Sequence, residues 1–299
     1  MHNFNQADAT AISEMVRADV VSAEAVAEHF LGCVEAGERS INAFVSFDPD
    51  AVRSQACQLK NGNAKGLLAG VPVGIKDVYD TVDHPTRFYS PIYEQNRPSR
   101  DAHVVALLRQ AGAVIMGKTH TTEFAYMHTG PTRNPHDLAR TPGSSSAGSA
   151  AGMAAGFFPL ALGTQTAGSL IKPAAYCGLY AFKPSYGLVS LEGVKPLAPS
   201  FDTVGWYGRS VRDLEVMARA PRGGGGPPLR HPGVYAGILG YTPSKSAPEP
   251  YLISSRTGGP RGRPGGRREG GAGGAGRLGR RRPAGPGLEP PPPGGGTGA

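Results

Sequence analysis

An α/β fold, in which a mixed β-sheet core is covered by helices, is the fold class that the sequence predicts. Three patterns in the 299-residue chain support this prediction. Apolar residues recur at helical spacing near both ends of the first 220 residues, and short apolar runs of strand character lie between them. Near residue 112, a helix signal passes directly into a strand signal. Such alternation is typical of a sheet with helices packed on it.

The first 40 residues predict two amphipathic helices, because their apolar residues recur every three or four positions. Ser22 is expected to cap the second helix, with Glu24 in its first turn. We assign only a packing role to Cys33. The apolar stripes are Ile12, Met15 and Val16 in the first helix and Val26, Phe30 and Val34 in the second.

Two short strands are predicted next, at 42–47 and 70–75. The second ends at Lys76. A lysine at the end of an apolar run commonly extends its ammonium group to the surface, so this position alone is no evidence of a site. A loop follows at 80–100.

A helix followed by a strand is predicted between residues 99 and 116. Ser99 or Asp101 can cap the helix, and Gly112 is expected to end it before a strand at 113–116. The predicted buried face consists of Val104, Val105, Leu107 and Leu108.

The remaining elements are predicted from shorter patterns. Small residues at 146–155 can form a helix whose N-terminal amides would point at the serines before it. We expect a strand at 159–164, a loop at 165–169, strand-like segments at 181–190 and 194–198, and a final helix at 211–218.

Two groups of serines lie in surroundings rich in Gly and Ala: Ser144, Ser145 and Ser146, and then Ser169. Their hydroxyls can act as nucleophile or proton relay. A serine run beside glycines is often only a flexible linker. Here, however, both groups fall at the ends of predicted elements, where sites are commonly built.

Several other chemistries lack their sequence patterns. No G-x-S-x-G elbow, P-loop or G-x-G-x-x-G fingerprint occurs at the serines. The histidines are scattered without an HExxH pair, so we expect no metal site. Cys177 lacks a neighbouring His or carboxylate, and we assign it to packing.

In the stretch from residue 12 to residue 218, the chain resembles the amidase signature family. The resemblance rests on GVPVGIKD, AGAVIMGKT, TEFA, the cluster GSSSAGS, TAGS, CG followed by FKPSYG, and PLAPSFDTVG, in this order. It implies a Ser-Ser-Lys triad without metal or organic cofactor.

The resemblance assigns a role to each matching position. Ser169 is the nucleophile, Lys76 the base, and Ser145 the bridging serine, preceded in the family by a cis peptide bond. Ser146 would support the bridge by hydrogen bonding. The oxyanion hole would be formed by the backbone N–H groups of Thr166, Ala167, Gly168 and Ser169.

The chain departs from the family pattern beside the nucleophile. Gln165 replaces the usual Asp of D-x-G-G-S, and Ala167 replaces a Gly. The arginine commonly found two positions after the nucleophile is Ile171, with Lys172 next to it.

A different composition begins at residue 221. About half of residues 221–299 are Gly or Pro, which predicts a disordered tail. The tail also holds 12 Lys and Arg against 3 acidic residues and so carries most of the net charge of +8, which leaves the folded part without a basic surface for nucleic acid. Because family members continue with folded sequence here, we expect an incomplete fold and hypothesise a truncated or frame-shifted gene.

We therefore expect three regions: an N-terminal helical segment of the amidase domain (1–60), the amidase core (61–220) and the tail (221–299). The expected activity is hydrolysis of a small-molecule amide in the cytoplasm, without nucleic acid or membrane. Three cysteines in an odd number and no long apolar run support that location. Two alternatives stay open, an inactive amidase fragment and the A subunit of glutamyl-tRNA amidotransferase. Oligomeric state is also open, a homodimer included.

Overall fold

The computed structural model describes residues 4–59 and 65–220. The predicted disorder of the tail and the frame-shift hypothesis concern residues outside this part of the chain.

Three helices and the first strand occupy the N-terminal part. Helix α1 spans Ala9–Arg17, α2 spans Ala23–Ile41, β1 spans Phe44–Phe47 and α3 spans Pro49–Gln58. The Ser22 hydroxyl accepts a hydrogen bond from the Ala25 N–H, which confirms the predicted cap of α2. The predicted stripes are correct, since Ile12, Val26 and Phe30 are fully buried.

Later elements alternate between strands and helices. They are β2 (Pro72–Lys76), α4 (His103–Gln110), β3 (Val114–Thr119), α5 (Ala147–Ala154), β4 (Leu160–Gln165), α6 (Ile171–Cys177), β5 (Tyr180–Phe182), β6 (Thr203–Gly208) and α7 (Val211–Arg219). The predicted helices at 99–111, 146–155 and 211–218 are thereby confirmed within a few residues.

A six-stranded mixed sheet unites the described strands in the order β1-β3-β2-β4-β6-β5. Strand β2 is parallel to both β3 and β4, whereas β1, β6 and β5 join antiparallel. The predicted fold class, a mixed sheet covered by helices, is therefore confirmed.

The central parallel strands determine where a site can form. The chain runs from β2 to β3 on one side and then to β4 on the other, so its winding reverses at β2. In open α/β sheets, ligands bind in the crevice at the carboxyl ends of strands at such a reversal. Here that crevice lies between Lys76 at the end of β2 and Thr164 near the end of β4.

Helix α5 packs across the three central strands through small residues. A Cβ atom on Gly148 would lie 2.3 Å from the His120 backbone nitrogen and 2.4 Å from the Ala43 carbonyl oxygen. Only glycine allows this approach, because neither backbone atom can move aside like a flexible side chain. The approach brings the serines that precede α5 close to the strand ends.

The structure differs from the predicted elements at several points. Helices α3 and α6 and strand β6 were not predicted, and the segment 194–198 forms only an isolated bridge, between Val194 and Tyr79. The predicted capping of α4 by Ser99 or Asp101 is wrong: Ala102 holds the cap position. The Asp101 carboxylate instead accepts hydrogen bonds from the Val82 N–H and the Arg109 side chain.

Within the described residues, no helix combines the length and the apolar character that crossing a membrane requires.

Candidate active site

Lys76 lies at the end of β2, in the crevice between β2 and β4, and its side chain is fully buried. Its Nζ atom donates hydrogen bonds to the Ser145 Oγ atom at 2.7 Å and to the Thr164 Oγ1 atom at 2.8 Å. The alternative in which this lysine extends into solvent is therefore wrong. The side chain turns inward because strand β2 is buried along its whole length.

Burial lowers the pKa of Lys76 to about 7, since an ammonium ion loses its hydration inside the protein. The negative charge of Asp202 acts in the opposite direction and raises the pKa. A lysine with a pKa near 7 is about half neutral at neutral pH, so it has a lone pair available to accept a proton.

The serine cluster lies immediately before α5. Ser145 and Ser146 are fully buried. The Ser146 hydroxyl donates to the Thr164 carbonyl oxygen and accepts from the Thr164 N–H, while the Ser146 N–H donates to the Ser169 carbonyl oxygen. Ser146 thus joins the end of β4 to the turn that carries Ser169, and it makes these contacts instead of the expected hydrogen bond to Ser145.

Ser169 lies next to a different serine from the one expected. Its Oγ atom is 3.3 Å from the Ser144 Oγ atom. Within residues 4–59 and 65–220, no hydrogen bond joins the hydroxyls of Ser169 and Ser145. The structure therefore brings Lys76 into contact with Ser145, and it brings Ser169 into contact with Ser144.

The expected cis peptide bond before Ser145 is wrong for this structure. Every peptide bond in the described part of the chain is trans. The trans form is the ordinary one, because a cis bond before a residue other than proline costs about 3 to 4 kcal/mol.

The turn from Thr166 to Ser169 presents unpaired backbone donors. Among the described residues, the N–H groups of Ala167, Gly168 and Ser169 have no acceptor. Ala167 is exposed and Gly168 and Ser169 are only partly buried, so these donors are accessible to a ligand and suited to bind an oxyanion. The Thr166 N–H group likewise has no acceptor among the described residues, and the Thr166 hydroxyl donates to the Asp202 carboxylate.

Gln165 stabilises the helix that follows the turn. Its Oε1 atom accepts hydrogen bonds from the N–H groups of Leu170 and Ile171, the first N–H groups of α6. A neutral amide oxygen can satisfy these N–H groups as a carboxylate oxygen would. The acceptor at this position is therefore neutral, whereas the Asp that is usual in the family would carry a negative charge.

Two residues of the site were absent from the sequence prediction: Thr164, which contacts Lys76, and Asp202, which contacts the turn. The strand register that places Ile75 opposite Leu162 brings Thr164 to Lys76, and sequence patterns do not give the register. For Thr164, the only signal in the sequence was a hydroxyl residue near the end of an apolar strand.

Neither a reactive Cys177 thiol nor a metal-binding group is found in the described part of the chain. Cys177 is buried, and burial raises the pKa of its thiol to about 12, so it is a packing residue as predicted. In the described part of the chain, no group of three or more His, Cys, Asp or Glu side chains is arranged to hold a metal ion.

Comparison with known proteins identifies similar sequences. The sequence model of the family described as Amidase matches residues 25–223. The A subunit of glutamyl-tRNA(Gln) amidotransferase from Acidothermus cellulolyticus is 41% identical over 233 residues, which are 75% of this chain and 46% of that protein. The chain spans about half the length of the curated relatives it matches.

Solved structures with this fold include amide hydrolases. The peptide amidase from Stenotrophomonas maltophilia is 30% identical, with a TM-score of 0.68 over 77% of this chain and 52% of its own. A chain from a vestigial protein complex, solved to reveal the evolutionary origins of an s-triazine catabolic enzyme, is 36% identical, with a TM-score of 0.68 over 72% of this chain and 49% of its own.

Proposed function

Because the chain belongs to the amidase family, we propose that it hydrolyses a carboxylic amide to an acid and ammonia or an amine, through an acyl intermediate on Ser169. The observation that carries this proposal is the buried Lys76, whose pKa is lowered to about 7 and whose Nζ atom lies 2.7 Å from the Ser145 hydroxyl. A neutral buried lysine beside a serine pair is suited to remove a proton from a nucleophile.

In the first step, Ser169 attacks the amide carbonyl carbon. The Ser169 hydroxyl proton passes to Ser145 while the Ser145 proton passes to the neutral Lys76 amine. The Ser169 oxygen forms the new bond, and the carbonyl π electrons move to oxygen. The relay requires the Ser169 hydroxyl to turn from Ser144 towards Ser145.

The tetrahedral oxyanion would be held by the unpaired N–H groups of the turn, including those of Ala167, Gly168 and Ser169. Losing one such donor typically lowers a rate by about 100- to 1,000-fold. The C–N bond then breaks, and the leaving nitrogen takes a proton from Lys76 through Ser145. Water, deprotonated along the same path, releases the acid from Ser169.

We extend the proposal to the setting of this reaction. The substrate is a small-molecule amide, the reaction takes place in the cytoplasm, and neither nucleic acid nor a membrane takes part. A homodimer is compatible with the proposal. We keep the division into residues 1–60, 61–220 and 221–299, with the chemistry assigned to the second region.

A second candidate function follows from the curated relatives. The A subunit of glutamyl-tRNA amidotransferase would use the same residues to release ammonia from glutamine within a larger complex. The 41% identity to such a subunit favours it. Ammonia release from glutamine, and co-purification with a partner subunit, distinguish it from a stand-alone amidase.

The proposed function is tested by intact-protein mass spectrometry after exposure of the full chain to a fluorophosphonate. We expect one adduct on the wild-type chain. No adduct is expected on Ser169→Ala, and a much slower adduct on Lys76→Ala. Fluorophosphonates phosphonylate activated serines, so the adduct reports the relay without knowledge of the substrate.

A serine outside the site provides the control. Ser22 caps α2 and lies far from the crevice in sequence, and Ser22→Asn preserves a capping side chain. This variant should label like wild type. A soluble wild-type chain that melts cooperatively and forms no adduct would instead identify an inactive fragment.

A further inference from the structure

We propose that Asp202 is a positioning residue that fixes the turn of residues 166–169. The proposal rests on the proposed function, because the turn and the lysine are assigned their roles there. Asp202 lies immediately before β6, within the segment PLAPSFD, and is 7% exposed.

Both carboxylate oxygens of Asp202 are occupied. The Oδ1 atom accepts a hydrogen bond from the Thr166 hydroxyl. The Oδ2 atom accepts from the N–H groups of Leu197 at 2.8 Å and Ala198 at 2.9 Å. One carboxylate therefore joins the loop before β6 to the first residue of the turn.

The hydrogen bond between Thr166 and Asp202 lies just beyond the end of the pairing between β4 and β6. The last paired residues of β4 and β6 are Gln165 and Thr203. Thr166 and Asp202 are the next residues on each side, so their side-chain hydrogen bond continues the pairing by one step. Beyond it, the turn carries the unpaired N–H groups of Ala167 and Gly168, which need a fixed direction to bind an oxyanion.

Asp202 also supplies a charge that position 165 lacks. Within residues 4–59 and 65–220, it is the only carboxylate that is hydrogen-bonded to the turn. Gln165 contributes only a neutral amide to the same turn.

The other groups around Lys76 are uncharged or paired with each other. Ser145 and Thr164, its hydrogen-bond partners, carry no charge. Burial raises the pKa of Tyr79 and of Tyr207 well above the usual value, so both phenols stay neutral. The carboxylate of Asp77, the residue that follows β2, forms an ion pair with Lys118. Asp202 is the charge that raises the pKa of Lys76 against the effect of burial.

The test is the pH dependence of the fluorophosphonate labelling rate, measured on the full chain from pH 5 to pH 10. The wild-type rate should rise through a midpoint near the pKa of Lys76, about 7. In Asp202→Asn the midpoint should fall, because the charge that favours the ammonium form is lost. Its plateau rate should fall by about tenfold or more, because the turn loses its anchor.

Thr166 variants separate position from charge. Thr166→Val should lower the plateau rate and leave the midpoint unchanged, since the Asp202 charge remains. Thr166→Ser keeps the hydroxyl and should restore the plateau rate. These variants also test the positioning role if Asp202→Asn does not fold.

Asp213 provides a matched control, since it is a buried carboxylate that accepts hydrogen bonds from the Thr10 and Arg209 N–H groups, away from the crevice. Asp213→Asn should lower the melting temperature while leaving midpoint and plateau as in wild type. If the wild-type chain labels and folded Asp202→Asn keeps the wild-type midpoint and plateau, this proposal alone is overturned. An unchanged plateau in Thr166→Val would also overturn this proposal alone. A folded wild-type chain that does not label overturns the proposed function and this proposal with it.

Discussion

A proton relay between Ser169 and Lys76 needs a contact with each of them, and two adjacent serines make these contacts separately. Ser145 accepts a hydrogen bond from Lys76, and Ser144 lies 3.3 Å from the Ser169 hydroxyl. Ser145 is fully buried, whereas Ser144 is only half-buried and can exchange with water. The burial favours Ser145 as the relay, since a proton passed through it stays shielded from solvent.

The first prediction separates these two serines. Ser145→Ala should lower the fluorophosphonate labelling rate by about 100-fold or more, because it cuts the contact with the base. Ser144→Ala should lower it by less than about tenfold. Rates are measured from adduct formation over time by mass spectrometry. Equal losses in the two variants would mean that the proton passes through Ser144.

At the scale of elements, a buried ion pair holds the carboxyl ends of β2 and β3 together. The Lys118 Nζ atom lies 3.0 Å from the Asp77 Oδ1 atom, and both side chains are fully buried. Lys118 also donates to the Thr86 hydroxyl, and Asp77 accepts from the Arg87 N–H. The pair therefore holds the loop after β2 against the strand end that carries Lys76.

The second prediction concerns this pair. Lys118→Met should lower the free energy of unfolding by about 3 to 5 kcal/mol, because the Asp77 carboxylate is left buried without its partner charge. Urea unfolding monitored by circular dichroism measures the change. Glu28→Gln, which breaks the solvent-exposed pair between Glu28 and Arg53, is the control and should have a much smaller effect. Similar losses in both variants would contradict the prediction.

Two of the three elements that sequence patterns missed, α6 and β6, depend on distant partners. Helix α6 has no capping side chain at Leu170, and its first N–H groups bond to Gln165, on the far side of the turn. Strand β6 is buried at every position, so it lacks the alternation that identifies a strand with one face in solvent. Helix α3 is different, since Asp48 followed by Pro49 is an ordinary helix start that the sequence displays.

For the whole molecule, the buried lysine makes stability depend on pH. The pKa of Lys76 is about 7 in the folded chain and about 10.4 in an unfolded chain. Between these values the unfolded chain binds more protons than the folded chain, so the free energy of unfolding rises with pH. Below pH 7 the folded chain must bury a charged ammonium group. The stability that is gained at higher pH, where this group is neutral in the folded chain, is then lost.

The third prediction follows from that difference. Lys76→Met should stabilise the chain relative to wild type at pH 6.5, and this advantage should shrink by a few kcal/mol as the pH rises to 10. Urea unfolding at several pH values measures it. Lys65→Met, at an exposed position, is the control for replacing a lysine outside the site by methionine. An advantage of Lys76→Met that stays constant from pH 6.5 to 10 would contradict the lowered pKa.

The sequence by itself determined the fold class, most of the helices and the family, because periodicity, caps and ordered motifs depend on neighbours along the chain. It also singled out Lys76, Ser145 and Ser169. Only the tertiary structure decided which serine touches which partner, that Thr164 and Asp202 adjoin the predicted site residues, and that Lys76 is buried with a lowered pKa. These properties depend on strand register and on the close approach of α5 to the strand ends, which join residues about 25 to 90 positions apart. Sequence patterns describe local neighbours, whereas burial and hydrogen bonding between distant strands arise only when the sheet assembles.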